Sequence, residues 1–284
     1  MIPIEDLLRF VREDAPWGDV TSETVVPDVA CRAVIRAKDT GIAAGLEEAR
    51  ALFEHYGVAV RQRIPDGRPV APGAVLLELE GRARAILLLE RTALNIIGRM
   101  SGIATRTREA VEAVRAVSPD VRIAATRKTA PGLRMLDKKA VVLGGGDPHR
   151  YCLSDMVLIK DNHLALVPLA EAIRKAKEQS RYRAVEAEVE TARDAVEAAV
   201  AGADIVLLDN MAPDAVREAV GALAARGLRE QVALEVSGGV AGGDLAGYAA
   251  TGIDIISMGA LTHTVRNFDV SLDILKGAGT VRLP

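Results

Sequence analysis

A stretch between Thr126 and His163 carries an unusual concentration of basic side chains. It holds seven lysine or arginine residues and fewer aspartates, whereas the whole chain of 284 residues has 36 basic and 39 acidic side chains and a formal net charge of -3. Clustered cations attract and hold anions. The stretch therefore predicts a site for a small molecule that carries several negative charges.

The basic side chains of this stretch fall into two groups. One group ends predicted strands and is expected to face the anion: Arg127, Lys128 and Lys160. The other group has helical spacing and is expected to form a solvated helix surface: Arg134, Lys138 and Lys139.

A glycine-rich turn in the same stretch leads to a histidine and an arginine. His149 and Arg150 follow three glycines and the pair Asp147-Pro148. Such a turn lets the backbone approach a ligand closely, and both side chains can bind an anion. We predict that both contact the ligand. His163 could also contact a ligand, or it could cap the helix that follows.

Two carboxylates end neighbouring predicted strands, Glu188 in E-A-E-V-E and Asp209 in V-L-L-D-N. Their separation is that of one strand-helix unit, which would put both side chains on one rim of a barrel. They could hold ribose hydroxyls, bind Mg²⁺ through oxygen, or stabilise positive charge in a transition state. A salt bridge to the basic cluster is compatible with all three roles.

Two glycine turns close the last two predicted strands, Ser237-Gly238-Gly239 and Gly259-Ala260. Backbone amides in such turns, together with the helix that follows, can bind a phosphate. Barrels often place phosphate at these last two loops, which favours this interpretation over plain turns.

The elements that must position these residues alternate between strand and helix from about Val121 onward, which predicts a parallel sheet. The predicted strands are Val121–Thr126, Met156–Lys160, Ala184–Val189, Asp204–Leu208, Val232–Val236 and Asp254–Met258. The predicted helices are Leu166–Gln179, Thr191–Ala201 and Pro213–Arg226. Polar residues end nearly every strand, which favours a barrel with its active site at that rim over an open, doubly wound sheet.

The first hundred residues predict a small domain of another kind. Its expected strands and its long helix are Ala33–Lys38, Val58–Arg63, Val75–Glu80 and Ala85–Arg99. We expect an N-terminal domain over residues 1–103, a barrel domain over 104–267, and a tail, 268–284, that packs back on the first domain.

Composition and charge exclude some classes of protein. The near balance of charges argues against a protein that coats nucleic acid. Hydrophobic residues make up 49% of the chain, which is typical of a globular protein. No apolar run reaches the roughly 18 residues that a membrane helix needs, and the N-terminus is charged. We expect a cytoplasmic protein with no membrane partner.

Taken together, the motifs of the chain resemble those of the quinolinate phosphoribosyltransferases, the carboxylating nicotinate-nucleotide pyrophosphorylases of NAD biosynthesis. The resemblance spans almost the whole chain. Its motifs are E-D-A-P-W-G-D-V-T, E-R-T-A-L-N, S-G-I-A-T, T-R-K-T-A-P-G-L-R, G-G-G-D-P-H-R, I-K-D-N-H, E-V-E, L-L-D-N, S-G-G and G-A-L-T.

The resemblance implies a fold and a reaction. The fold would be an N-terminal α/β sandwich domain joined to an incomplete TIM-like α/β barrel. The reaction would join quinolinate to phosphoribosyl pyrophosphate (PRPP) with Mg²⁺, giving nicotinate mononucleotide, pyrophosphate and CO₂. The enzyme would be a homodimer or a higher oligomer of dimers.

The resemblance also implies a role for individual residues. Glu188 and Asp209 would hold the ribose hydroxyls and the metal, Lys128 the pyrophosphate, and the two glycine turns the 5-phosphate. Lys128, Lys160, Glu188 and Asp209 would be catalytic. The two quinolinate carboxylates would be bound by Arg127, His149, Arg150 and Lys160, together with Arg91 from a second subunit.

One residue departs from the family pattern, and three other functions compete. The family commonly has asparagine where this chain has Pro148, which lacks an N–H. A nicotinate phosphoribosyltransferase would not need so many cations for one carboxylate. A relative associated with molybdenum transport lacks the I-K-D-N-H segment. A non-catalytic barrel that binds a phosphorylated metabolite would not need both Glu188 and Asp209.

Overall fold

The computed structural model describes residues 2–239 and 244–275, which form two compact units. The N-terminal unit contains residues 2–106, 135–145 and 265–275, and the barrel unit contains residues 107–134, 146–239 and 244–264. The segment 135–145, which the sequence analysis placed in the barrel domain, groups with the N-terminal residues.

The N-terminal unit is built on an antiparallel sheet. Its helices, two of which extend into the barrel unit, are α1 (Ile4–Asp14), α2 (Val20–Val25), α3 (Leu46–His55), α4 (Ala83–Arg115) and α5 (Arg134–Gly144). Its strands, numbered along the whole chain, are β1 (Ala30–Ala37), β2 (Gly41–Ile42), β3 (Ala59–Gln62), β4 (Pro69–Val70), β5 (Val75–Arg82) and β12 (Val270–Ile274).

Four of these strands form one sheet in the order β12-β1-β5-β3, and β2 pairs with β4. Leu77 and Leu79 of β5 are buried and alternate with more exposed glutamates, as expected of a strand with one face on a core. Helix α3 packs against β3 and β5 and buries Leu52 and Phe53. Strand β12 pairs with β1, so residues 270–274 of the predicted tail lie in this unit, while residues 276–284 lie outside the described residues.

Helix α4 is longer than predicted and continues from Arg99 to Arg115. Buried residues keep helical spacing past the predicted end, including Met100, Ile103 and Val111. The helix continues through Gly102, where the absence of a side chain leaves room for the chain at Arg266: a β-carbon at this position would lie 2.1 Å from the Arg266 carbonyl oxygen.

The prediction that α5 has a solvated basic surface is wrong. Lys138 is fully buried, and Arg134 hydrogen-bonds to Thr129 and to the Tyr151 carbonyl. Lys139 Nζ lies 2.7 Å from carboxylate oxygens of both Glu47 and Glu48. Burial opposes protonation of Lys139, but the two glutamates outweigh it and raise its pKa. The partners of Lys139 lie 92 and 91 residues away along the chain, so local spacing could not reveal them.

The barrel unit repeats strand and helix as predicted. Its strands are β6 (Arg122–Ala124), β7 (Val157–Ile159), β8 (Val185–Val189), β9 (Ile205–Asp209), β10 (Ala233–Ser237) and β11 (Ile255–Ser257). Its helices are α6 (Asp161–Leu164), α7 (Leu169–Gln179), α8 (Ala192–Val200), α9 (Pro213–Ala225), α10 (Leu245–Ala249) and α11 (Ala260–His263), with a 3₁₀ turn at Arg229–Gln231.

The six strands are parallel and lie in the order β6-β11-β10-β9-β8-β7. Strands β6 and β7 end the sheet and do not pair, so the barrel is incomplete, and the predicted fold class is confirmed. Central strands such as β9 are buried on both faces, which is typical of a parallel sheet covered by helices. No helix of the described part combines the length and the apolar character that crossing a bilayer requires.

Candidate active site

A cavity of about 450 Å³ opens at the carboxyl ends of the barrel strands. Ten of the predicted site residues line it: Arg127, Lys128, His149, Arg150, Lys160, Glu188, Asp209, Ser237, Gly238 and Gly239. The other lining residues are Thr126, Leu158, Leu207, Asn210, Glu235 and Ser257. Residues from six strand ends thus converge on one cavity, which is where barrels place their active sites.

Two arginines of the cavity lie close together and are largely withdrawn from solvent. Arg150 is 8% exposed and its Nη1 lies 3.4 Å from the Met156 carbonyl oxygen. Arg127 Nε is buried and has no hydrogen-bond partner among the described residues. Burial and the neighbouring Arg127 lower the pKa of Arg150. A bound anion would relieve this repulsion and satisfy the free donors.

The two rim carboxylates have different partners. Lys160 Nζ contacts a Glu188 carboxylate oxygen directly. The Asp209 carboxylate accepts a hydrogen bond of 2.6 Å from the side-chain amide of Asn210, whose backbone adopts φ 53°. Glu188 is thus held by a cation, while Asp209 is oriented by a neutral donor.

The turn before Arg150 is held by its own side chains. Asp147 Oδ1 accepts the His149 N–H at 2.9 Å, and His149 itself adopts φ 53°. The intervening Pro148 needs no N–H in such a turn, which explains how proline is accommodated here. His149 Nδ1 accepts the Arg150 N–H at 2.6 Å.

Two further carboxylates lie below the rim. Glu186 and Glu235 are buried, and one oxygen of each approaches His149 Nε2, at 3.2 and 3.7 Å. Burial and the nearby Glu186 raise the pKa of Glu235 to about 7, against the opposing effects of His149 and of a hydrogen bond from Ser257.

The first glycine turn is tightly fitted. Gly238 adopts φ 84°, and a β-carbon there would lie 2.2 Å from Asn210 Oδ1. Gly239 adopts φ 65° with open space beside it. Only glycine satisfies both the conformation and the space at position 238.

Two family models match the chain, and together they cover most of it. The quinolinate phosphoribosyl transferase N-terminal domain matches residues 19–101, and the C-terminal domain of the same family matches residues 103–273. The chain belongs to the quinolinate phosphoribosyl transferase family.

Curated relatives and solved structures agree with this family assignment. Proteins named probable nicotinate-nucleotide pyrophosphorylase (carboxylating) are 46% identical in Archaeoglobus fulgidus, covering 92% of this chain and 100% of the relative, and 44% identical in Methanothermobacter thermautotrophicus, covering 95% and 98%. The crystal structure of nicotinate-nucleotide pyrophosphorylase from Ehrlichia chaffeensis is 32% identical with a TM-score of 0.89, covering 95% of this chain and 98% of that one.

Three of the predicted site residues, Gly259, Ala260 and Arg91, do not line the cavity. Gly259 and Ala260 begin α11 after β11, and a β-carbon at Gly259 would lie 2.8 Å from Lys128 Cδ, so Gly259 borders the cavity through that lysine. Arg91 is an exposed residue of α4 in the N-terminal unit, with no hydrogen-bond or ion-pair partner among the described residues.

His163 acts as a cap. Its Nδ1 accepts the Lys160 N–H at 2.9 Å at the start of α6, which favours that interpretation over a ligand contact.

The residue patterns did not identify the buried carboxylates of Glu186 and Glu235, or Asn210, as parts of the site. The signal for Glu186 was present: it lies two residues before Glu188 on one strand, so both side chains share a face. For Asn210, the signal was its position after a strand-ending aspartate, where asparagine tolerates a positive φ.

The rim carboxylates form a donor set that suits magnesium. Mg²⁺ prefers oxygen ligands and commonly binds through one or two carboxylates together with substrate phosphates. Glu188 and Asp209 supply such oxygens and face the same cavity as the cations that would hold phosphates.

Proposed function

We propose that this protein transfers the phosphoribosyl group of PRPP to the ring nitrogen of quinolinate, releasing pyrophosphate and CO₂ and forming nicotinate mononucleotide. The observation that carries the proposal is one cavity that combines four cationic side chains with two carboxylates at its rim. The family and the names of the curated relatives support the same reaction.

We propose that Arg127, Arg150 and Lys160 bind the two carboxylates of quinolinate, with His149 beside them in the cavity wall. Guanidinium groups match carboxylates with two parallel hydrogen bonds. Arg150 is buried and lies beside the like charge of Arg127, both of which lower the pKa of Arg150. This supports a dianion as the ligand of the two arginines.

The acidic rim and the glycine turns suit PRPP. Departure of pyrophosphate from the anomeric carbon leaves positive charge on the ribose, which Glu188 and Asp209 would stabilise while they hold the ribose hydroxyls. Mg²⁺ bound by the same two residues would neutralise charge on the pyrophosphate. Lys128 would contact the leaving pyrophosphate, and Ser237 to Gly239, with Gly259 and Ala260, would bind the 5-phosphate.

Loss of CO₂ follows from the chemistry of the product. Once the ring nitrogen carries ribose it is positively charged, so the electron pair left at the neighbouring carbon is stabilised when the carboxylate leaves as CO₂. A proton from water then adds to that carbon and completes the product. The protein then has to position the ring and exclude competing orientations. This fits a site rich in fixed cations.

We further propose a cytoplasmic homodimer, or a higher oligomer of dimers, in which Arg91 reaches the site of the second subunit. Arg91 is exposed and has no ion-pair partner within residues 2–239 and 244–275, which supports this role. Both cysteines are free, which suits a reducing compartment.

The reaction can be tested with quinolinate labelled at the carboxylate next to the ring nitrogen. We expect labelled CO₂ and pyrophosphate in equal amounts when PRPP and Mg²⁺ are present, and neither when the metal is chelated. Turnover of nicotinate in place of quinolinate, without CO₂, would instead identify a nicotinate phosphoribosyltransferase. Tight binding of PRPP without turnover of either acid would identify a non-catalytic barrel.

A further inference from the structure

Glu186 and Glu235 are unusual residues for the interior of a barrel. Their side chains are essentially inaccessible to solvent. Both oxygens of Glu186 and one oxygen of Glu235 have no hydrogen-bond partner among the described residues. Burying a carboxylate costs several kcal/mol unless it is compensated. An inert floor would carry apolar residues here, so the two glutamates call for a functional explanation.

Strand geometry places both glutamates directly below the site. Side chains two residues apart on a strand share a face, so Glu186 lies one layer beneath Glu188, and Glu235 lies one layer beneath Ser237. Glu188 and Ser237 line the cavity, and Glu235 reaches it as well. The two buried carboxylates therefore form the floor under the rim residues.

The imidazole of His149 connects this floor to the turn above it. Its Nδ1 accepts the Arg150 N–H at 2.6 Å, which leaves the ring proton on Nε2. Nε2 faces the oxygens of Glu186 and Glu235, at 3.2 and 3.7 Å. Both ring nitrogens thus face protein groups, and the ring spans from the floor to the backbone of Arg150.

We propose that Glu186 and Glu235 are positioning residues that hold the His149 ring and, through it, the turn that presents Arg150 to quinolinate. The unusual backbone of His149, at φ 53°, needs such support because non-glycine residues rarely adopt it. The inference rests on the proposed role of Arg150 in binding quinolinate.

The test compares Glu186→Gln and Glu235→Gln with Glu218→Gln, which makes the same change at an exposed residue of α9. Because a side chain displaced by about 1 Å can cost up to a hundredfold, we expect each floor variant to raise KM for quinolinate by about tenfold or more. KM for PRPP should change by less than about twofold, and Glu218→Gln should change neither value. Calorimetric titration of the unchanged protein and of each variant with quinolinate checks that KM reports the binding affinity.

A merely structural role predicts a different result. The floor variants would then unfold at lower temperature, while the folded enzyme kept its KM for quinolinate. That outcome would overturn the proposal. Should Glu186→Gln fail to fold, Glu235→Gln alone still decides, because the Glu235 carboxylate also faces His149 Nε2, at 3.7 Å.

A double-mutant cycle separates this inference from the role of Arg150. If the glutamates act through His149, Glu235→Gln should add almost nothing to KM for quinolinate in a His149→Ala background; additive effects would contradict the inference. Arg150→Ala must itself raise that KM, and if it does not, the proposed role of Arg150 fails.

Metal analysis of the purified enzyme gives a further check, because His149, Glu186 and Glu235 could together hold a metal ion. A stoichiometric transition metal that is lost in Glu235→Gln would overturn the positioning role and identify a metal site instead.

Discussion

The ammonium group of Lys160 lies between an acidic and a basic part of the cavity. Its ammonium contacts the Glu188 carboxylate, and it lines the same cavity as Arg127 and Arg150. An incoming quinolinate would share this cation with Glu188, so one side chain would link the acid-binding end of the cavity to the ribose end.

We expect Lys160→Ala to lower kcat/KM for quinolinate by about 10- to 100-fold, because hydrogen bonds to charged groups contribute about 1.5–3 kcal/mol. Lys177→Ala is the matched control, since Lys177 pairs with Asp204 in a partly exposed contact. That control should stay within about twofold of the unchanged enzyme. Steady-state kinetics with both substrates varied provides the measurement, and equal effects of the two substitutions would contradict the assignment of Lys160.

Glu235 makes stability depend on pH near neutrality. Its pKa is raised to about 7 in the folded protein, against about 4.3 in an unfolded chain. Between these pH values the folded state binds more protons, so the free energy of unfolding must fall as pH rises. The fall is at most roughly 4 kcal/mol over the whole range between the two pKa values.

Urea unfolding between pH 5.5 and pH 8, compared with Glu235→Gln, isolates this effect. The unfolding free energy of the unchanged protein should decline relative to that of the variant as pH increases. Parallel curves for the two proteins would show that Glu235 keeps an ordinary pKa.

Among single elements, the turn at the end of β10 requires glycine at position 238, both for its backbone conformation and for the space beside Asn210. We expect Gly238→Ala to raise KM for PRPP by about tenfold or more, because the new methyl group would collide with Asn210, which orients Asp209. Gly227→Ala controls for backbone strain alone, since Gly227 also has a positive φ of 68° but has no atom near its missing β-carbon. Similar kinetic losses in both variants would count against a role of this turn in the site.

Helix α5 is attached to the N-terminal unit by a buried ion pair. Arg99 donates two hydrogen bonds, of 2.7 and 2.9 Å, to the fully buried Asp137. We expect Asp137→Ala to reduce the free energy of unfolding by about 3 kcal/mol, because it removes the buried carboxylate that accepts both of these hydrogen bonds from a partly buried arginine. Asp214→Ala removes an exposed partner of Arg217 and should cost less than about 1 kcal/mol. Chemical denaturation of the two variants would refute this if their losses were equal.

The sequence predicts local elements well and long-range partners poorly. All six barrel strands were predicted within about two residues, since each is a short apolar run bounded by polar turns. Helix α4 was predicted too short: it continues to Arg115 and passes through Gly102, whose lack of a side chain permits a close approach of Arg266. The burial of Lys138 was missed because spacing alone cannot distinguish a solvated helix face from one that meets distant residues.

The same limit applies to the candidate site. Strand ends predicted eight of the sixteen residues that line the cavity, because parallel strands bring their carboxyl ends to one rim. The glycine-rich turn predicted two more, His149 and Arg150. The floor escaped prediction: the spacing puts Glu186 on the same face as Glu188, but nothing in the local sequence shows that Glu186 and Glu235 approach each other. Only the positions of β8, β10 and the His149 turn in space bring those carboxylates to one imidazole.

At the scale of the whole molecule, the net charge of -3 hides a separation of charge. The cavity gathers cations from the ends of β6 and β7 and from the turn before β7, and carboxylates from β8 and β9. A ligand that carries anionic groups at both ends and a ribose between them suits this distribution. The remaining proposed cation, Arg91, lies in the N-terminal unit and is proposed to come from a second copy of the chain.

Mixing two variants that are each strongly impaired alone tests whether the site is shared between subunits. If Arg91 serves the partner's site, a dimer of Arg91→Ala with Lys160→Ala contains one doubly altered site and one intact site. Random exchange makes half of the dimers mixed, so the mixture should recover about a quarter of full activity. Arg91→Ala mixed with a variant carrying both substitutions should recover nothing. If Arg91 instead serves its own chain, every site in the first mixture keeps one defect, and no recovery would appear despite exchange verified with two affinity tags.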